Sequence, residues 1–378
     1  MESLSAPVTE WSSTGDDLID LIGELLIRPC VTGDEGLIAD WIAQWAASRG
    51  DMVMRVGHSL VMSPPGDLDD PRPVVALVGH TDVVPPTEHD RLARLEERDG
   101  QPVIVGRGVS DMKAGLGVLM QAFIDEDCRN GPYRMVLVAY AGEEGPAEAN
   151  ELAQVLNAVP GLADTALAII GEPTDGQVQL GCMGALHALV TFPGVQAHSA
   201  RPWQGHNALT HAGEWLAKWK DVDLVEVTID GLTWKEVMTP TQAYTDNARN
   251  IVPGSFVVNV NYRFAPDKTI EEAEAQFIER INAFWTGDEP LSVAIVDRAL
   301  PCPPRRNNAM VSALIDAFGV DVAPKQAWTD VARFNAIGVP ALNFSPAPGD
   351  QAHQAGEWMP VADIRPGFDQ LKAFLTHT

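Results

Sequence analysis

The sequence predicts an α/β protein: a mainly parallel sheet with helices on both faces, interrupted by a smaller α+β domain. Three observations predict this. Residues 74–78, 135–140 and 166–170 are short, continuous apolar runs closed by glycine-containing turns, the pattern of strands buried on both faces. Helical periodicity separates these runs, as parallel strands joined by crossovers require. After Gly184 the texture changes to alternating apolar and polar residues, and near residue 304 the first texture returns.

The elements follow in order. Leu18, Ile19, Ile22, Leu25 and Leu26 mark a first amphipathic helix. Thr32-Gly33-Asp34-Glu35 reads as a capping box for a second, with Leu37, Ile38, Trp41, Ile42 and Trp45 on one face. Ser63-Pro64-Pro65-Gly66-Asp67 is a loop, and helices are expected over 111–125 and 147–156. Alternation at 185–192, a helix over 207–219, strands at 225–229 and 256–264, a helix over 269–284 and a strand at 291–296 give a β-α-β-β-α-β unit. A helix at 310–318, a strand at 340–344 and a helix at 364–375 close the chain. The expected domains are therefore 1–183, the first part of a catalytic domain; 184–297, an inserted lid or dimerisation domain; and 298–378, the second catalytic part.

Composition narrows the function. The 378 residues are 46% hydrophobic and 21% charged, an ordinary globular balance. A formal charge of −26 argues against nucleic acid or an anionic membrane as partner. Cys30, Cys128, Cys182 and Cys302 form no CxxC and read as reduced thiols. Met1-Glu2-Ser3-Leu4 lacks the basic and apolar regions of a secretory signal, and no apolar stretch reaches bilayer-spanning length. The expected location is the cytoplasm.

Chemistry concentrates at the strand ends, where open α/β sheets bind their ligands. The first run leads into Gly79-His80-Thr81-Asp82, the second into Gly142-Glu143-Glu144-Gly145 and the third into Gly171-Glu172-Pro173. If His80 binds a metal through one nitrogen, Asp82 is placed to hold the other. Glu143 and Glu144 would repel unless a cation or proton separates them, so one as ligand and one as general base resolves the pair. Asp111 lies among glycines in Gly106-Arg107-Gly108-Val109-Ser110-Asp111, and His353 in a loop beyond the last strand. Singly, each has an ordinary reading: Asp111 as a helix N-cap, His353 as a surface histidine, Glu172 as a turn residue. Imidazole and carboxylate without thiolate suit Zn²⁺, with Co²⁺ or Mn²⁺ as substitutes. No Gly-x-Ser-x-Gly elbow is present to suggest a serine esterase.

Taken with Gly171-Glu172-Pro173-Thr174 and Ala197-His198-Ser199, these segments resemble, in order and over nearly the whole chain, the co-catalytic di-zinc amidohydrolases. That family includes aminoacylases, glutamate carboxypeptidases, acetylornithine deacetylases and succinyl-diaminopimelate desuccinylases. Gly181-Cys182-x-Gly184, the segment from Ala197 to Trp203, Arg263-Phe264-Ala265-Pro266-Asp267 and Trp328-Thr329-Asp330-Val331-Ala332-Arg333 are most similar to the actinobacterial type of desuccinylase. The resemblance implies two divalent ions bridged by Asp111, one completed by His80 and Glu172, the other by Glu144 and His353. It implies Glu143 as general base, Asp82 supporting His80, and His198 reaching a partner subunit's active site in a homodimer formed through the inserted domain. Arg201, Asn250, Arg263, Thr329 and Arg333 become candidate contacts for a small N-acyl amino acid, of which N-succinyl-LL-2,6-diaminopimelate leads. Another acyl-amino acid or a dipeptide on the same scaffold is the alternative, and a catalytically inactive binding homologue a remote one. One departure bears on the acyl group: many desuccinylases carry arginine where this chain has Met183.

Overall fold

The computed structural model describes residues 11–28, 30–66, 70–146 and 148–377. Met1 to Leu4, Asp67 and the expected helix start at Ala147 lie outside them. Internal contacts divide the chain into two units. One runs up to Leu180 and resumes at Arg305–Ala323 and Thr329–Thr378; the other comprises Gly181–Pro304 and Pro324–Trp328.

The larger unit is built on an eight-stranded sheet. Its four parallel strands, Arg134–Tyr140, Val74–His80, Leu167–Ile170 and Ala341–Asn343, lie side by side in that order. The antiparallel hairpin Met52–Val56 and Ser59–Ser63 extends one side, and Val178–Leu180 followed by Val322–Pro324 the other. Every residue of Val74–His80 and Leu167–Ile170 is buried, which is why neither shows polar alternation. The helix Ala114–Ile124 packs on Val74–His80 and is itself covered by Asp17–Leu26 and Val361–Thr376. A small antiparallel sheet joins Arg94–Arg98, Gln101–Val105 and Trp358–Pro360.

Helix caps show how tertiary partners override local signals. Thr269 and Glu272 form a reciprocal capping box on Ile270–Ala283. The similar-looking Thr32-x-x-Glu35 does not. Its helix, Gly36–Ala47, has no side-chain cap, because the Thr32 hydroxyl donates instead to Asp82 Oδ2 at 2.9 Å. Leu37, expected on the apolar face, is exposed, whereas Ile38, Ile42 and Trp45 are buried. The helix expected from residue 147 is confined to Leu152–Ala158.

The second unit is a five-stranded antiparallel sheet in the order Val225–Ile229, Leu232–Tyr244, Ser255–Phe264, Gly184–Pro193, Ser292–Ala299. It holds one strand more than the β-α-β-β-α-β expectation. Leu232–Tyr244 escapes a sequence reading because Pro240 sits within it, and proline argues against an interior strand. The ladder tolerates Pro240 beside a register shift at Pro240/Gln242. Leu186, Ala188, Val190 and Phe192 face a core shared with Val258, Val260, Trp215 and Phe277. Phe192 meets Trp215 edge-on at 5.0 Å between centroids, a pairing that adds about 0.5–1.5 kcal/mol beyond area burial. The helix expected over 207–219 is split into Ala208–His211 and Gly213–Lys218. Among the described residues no helix is long and apolar enough to cross a membrane. All four cysteines are free and buried.

Candidate metal centre

Strand register decides which side chains meet. His80 lies opposite Tyr140, and Val78 opposite Ile170, in parallel ladders. The residues that follow, Thr81-Asp82, Gly142-Glu143-Glu144 and Gly171-Glu172, therefore leave the sheet on one rim. Asp111 arrives from another direction. It lies in the kinked segment Val109–Lys113 with φ −116° and ψ 92°, and the regular helix begins only at Ala114. Asp111 is thus not a helix N-cap, the ordinary reading of that residue taken singly; its carboxylate turns toward the strand ends. A methyl group at Gly115 would collide with the carbonyl oxygen of Gly171, so glycine permits the close approach that brings this segment over His80 and Glu172.

Asp111 divides its two oxygens between two histidines. Its Oδ1 is 3.1 Å from His80 Nε2, and its Oδ2 is 3.5 Å from His353 Nε2. His80 Nε2 is also 3.9 Å from Glu172 Oε1. His353 Nε2 is 3.0 Å from Glu144 Oε1 and 2.9 Å from its Oε2. Among the described residues, three overlapping groups have ligand atoms within 4.8 Å of one another: His80, Asp111 and Glu172; His80, Glu143 and Glu144; and Asp111, Glu144 and His353. None includes a cysteine. Asp111 is common to two of these groups and Glu144 to two, the arrangement that lets neighbouring cations share ligands.

Asp82 departs from its expected duty. His80 Nδ1 lies 3.0 Å from the main-chain oxygen of Asp82, which fixes the tautomer, while the nearest carboxylate oxygen is 3.8 Å away. The carboxylate accepts instead from the amides of Glu143 (3.0 Å) and Glu144 (3.1 Å). The backbone carbonyl thus orients the imidazole, and the side chain holds the two-glutamate turn.

The site concentrates negative charge that attracts protons or cations. Burial disfavours charged His80, but the Asp111 hydrogen bond and the charges of Glu143, Asp111 and Asp82 raise its pKa well above the ordinary value. Burial raises Glu143 well above the carboxylate range; charged His80 opposes this, and Glu172, Asp330 and Asp111 reinforce it. The hydrogen bond to Glu144 raises His353 despite partial burial. All three groups bind protons more tightly folded than unfolded, so without metal their stabilisation is complete below the unfolded values and fades as pH rises through the folded ones. The melting temperature of EDTA-treated protein is accordingly expected to fall between about pH 5 and pH 8, and the stabilisation by Zn²⁺ to grow over that window, because cations displace these protons. Scanning fluorimetry at fixed ionic strength reads both; a zinc stabilisation that shrinks with rising pH would contradict the assignment.

Glu357 and Asp90 support the site with no sequence signal, and Arg107 and Asp330 support it from within segments already singled out. Glu357 is buried and accepts from Gly108 N (2.9 Å), Ser110 N (2.7 Å), Asp111 N (3.0 Å) and Arg107 Nη1 (2.9 Å). Arg107 Nη2 reaches Asp90 Oδ2 at 3.1 Å. Buried Asp330 accepts from Tyr140 Oη (2.7 Å) and Asn150 Nδ2 (2.9 Å). Isolated acids whose partners are backbone amides or lie far away in sequence leave no spacing to recognise.

The remaining candidates make contacts within their own units. In the larger unit, Thr329 Oγ1 is 2.9 Å from Asn343 Oδ1, and Arg333 Nε donates to Asp330 at 2.6 Å. In the inserted unit, His198 and Asn250 lie on a short ribbon where Ala197–His198 pairs with Ile251–Val252. Ser199 N donates to Asn250 O, and Arg201 N to His198 O. His198 is exposed and its Nδ1 accepts from Ala200 N at 3.0 Å. Arg263 is half-buried, its Nε on Asn261 Oδ1 at 3.2 Å. Met183 is buried, its amide bound to Ala327 O.

Comparison with known proteins identifies relatives and a shared fold. A succinyl-diaminopimelate desuccinylase from Corynebacterium glutamicum is 32% identical over 370 residues, covering 95% of this chain and 98% of that protein. An acetylornithine deacetylase from Myxococcus xanthus is 28% identical over 306 residues, covering 78% of this chain and 77% of that protein. The solved structure of a tripeptidase from Staphylococcus aureus shares the fold, with TM-score 0.75, 18% identity, and coverage of 95% of this chain and 97% of that one. Residues 76–377, which carry all the clustered His, Asp and Glu side chains, match peptidase family M20/M25/M40, and the chain belongs to that family of metallohydrolases.

Proposed function

We propose that the chain hydrolyses the amide bond of N-succinyl-LL-2,6-diaminopimelate at a two-metal centre. The observation that carries the metal assignment is the division of Asp111 between the His80 and His353 groups. The donor set fits zinc: two imidazoles, carboxylates and no thiolate, with Co²⁺ or Mn²⁺ able to substitute. His80 and Glu172 would hold one ion, Glu144 and His353 the other, and Asp111 both. Ions held there would supply Lewis acidity toward the scissile carbonyl and water. Glu143 would take a proton from water as its oxygen adds to the amide carbon, then pass that proton to the leaving amine nitrogen. The products are succinate and the free amine. Asp82, by holding the amides of Glu143 and Glu144, keeps base and ligand in register.

The substrate rests on the desuccinylase similar over nearly the full length of both chains. Arg201 and Arg263 are proposed to bind its carboxylates, arginine being suited to bidentate pairing, with Asn250, Thr329 and Arg333 as further contacts. Buried Met183 supplies no such charge. The test is a panel of N-succinyl-LL-diaminopimelate, N-acetylornithine and dipeptides with zinc-loaded enzyme. A kcat/KM for the succinyl compound about 10²-fold or more above the others is expected, since a site built for a charged acyl group discriminates against its absence. Highest turnover of N-acetylornithine would transfer the assignment to the acetylornithine class.

We further propose a homodimer paired through the inserted unit, in which His198 donates to the developing oxyanion of the partner's site. Exposed Val225 and Val296 lie on the two edge strands of that unit's sheet, and unpaired strand edges favour twofold pairing. His198→Ala is expected to lower kcat about 10²–10³-fold. Mixing it with Glu143→Ala should restore activity, because one hybrid site then carries both groups. No recovery after demonstrated subunit exchange would remove the role in trans.

A further inference from the structure

We infer that Glu357 is a positioning residue that sets the metal-binding geometry of Asp111. It belongs to none of the candidate ligand groups and acts through the backbone, on the peptide N–H of Asp111 among others. Trp358–Pro360 pairs with Gln101–Val105, and Gly106 N continues that ladder to Glu357 O at 3.1 Å. The Glu357 side chain is thereby placed at the mouth of the loop running from Gly106 to Asp111. Its Oε1 accepts the amides of Ser110 and Asp111, and its Oε2 accepts Gly108 N and Arg107 Nη1. Three backbone amides of one short loop converge on a single buried carboxylate, an anion nest filled by the protein itself.

The donors favour the ionised form, while burial works against it and raises the carboxyl's pKa. Both oxygens face only N–H groups, so a proton on either would have nothing to bond. Arg107 supplies a countercharge and is itself held by Asp90, whose carboxylate also receives Gly356 N at 2.8 Å. Glu357 therefore ties the peptide of Asp111 to a point four residues beyond His353. The same short segment presents His353 to Glu144 and Asp111. Two groups that converge on one ion position are thus referenced to a common anchor, which neither the ligand set nor the fold alone requires.

The inference rests on Asp111 acting as a metal ligand, and its test separates the two ideas. Apo protein is titrated with Co²⁺ and Zn²⁺ by calorimetry and by the visible Co²⁺ spectrum, alongside circular dichroism and melting. Wild-type protein binding two equivalents supports the ligand reading; absence of binding overturns that reading and the inference with it. Glu357→Gln keeps the side chain's size but turns an NH₂ group toward two N–H donors. It is expected to weaken metal binding about 10–100-fold, the usual effect of losing an outer-shell partner, and to alter the Co²⁺ spectrum. Glu236→Gln is the control: Glu236 is a buried carboxylate of the inserted unit that accepts from Ala265 N and Tyr262 Oη, so it should lower the melting temperature alone. Should Glu357→Gln fail to fold, Arg107→Lys leaves Glu357 in place while removing the guanidinium shared with Asp90, and a several-fold weakening is expected. Wild-type affinity and spectrum in whichever of these variants folds would reduce Glu357 to a structural residue and overturn the inference.

Discussion

Glu143→Ala is expected to lower kcat about 10²–10⁴-fold, the span of general-base contributions, with metal content unchanged. Glu143 is adjacent to Glu144 yet differs from it in surroundings. Glu144 faces His353 Nε2 through both oxygens, whereas Glu143 is pushed up by burial and by the charges of Glu172, Asp330 and Asp111. A carboxylate whose affinity for a proton is raised suits proton transfer near neutrality. Bound cations would lower that affinity again. The variant's metal stoichiometry, read by elemental analysis beside kcat, checks the assignment. Loss of one ion would instead make Glu143 a ligand, and the roles of the two glutamates would be exchanged.

Asp111→Asn is expected to abolish measurable turnover and to reduce bound metal from two ions to one or none. The aspartate spends one oxygen on the His80 side and the other on the His353 side. An amide offers one weaker acceptor and one donor, so at most one side keeps a ligand. The change is nearly isosteric, and Asp111 N still reaches Glu357. The fold should therefore survive, as circular dichroism would report. Two equivalents of bound zinc in this variant would show that Asp111 is not shared.

Much of this was legible in the sequence, for identifiable reasons. Strands such as Val74–His80 announce themselves because burial on both faces leaves no polar position. The strand-end residues His80, Glu143, Glu144 and Glu172 were placeable because parallel strands of one sheet end together. Three features were not legible. Leu232–Tyr244 was hidden by Pro240. Thr32 was assigned to its own helix because a hydroxyl's attraction to Asp82, 50 residues away, has no local trace. Glu357 leaves no trace because its partners are mainly peptide N–H groups, which every residue but proline possesses and which no alphabet of side chains encodes. The support beneath Asp111 is thus written in backbone geometry, and only the ligands above it in residue types.

The position of Ala341–Asn343 constrains how the chain can be made. This short strand lies between Leu167–Ile170 and Val178–Leu180, inside the main sheet rather than at its margin. During synthesis the first 180 residues emerge with a vacant slot along one side of Leu167–Ile170, and the entire inserted unit must be translated before the strand that fills it appears. In the inserted unit Val225–Ile229, Leu232–Tyr244 and Ser255–Phe264 pair with sequence neighbours as they emerge, whereas Gly184–Pro193 waits for Ser255–Phe264 and Ser292–Ala299. The metallohydrolase sheet is instead committed to a late, long-range closure, with loop entropy to overcome and an unpaired edge exposed meanwhile. A chain halted before Ala341 would therefore hold an inserted unit with all its strands and a catalytic sheet parted between Leu167–Ile170 and Val178–Leu180.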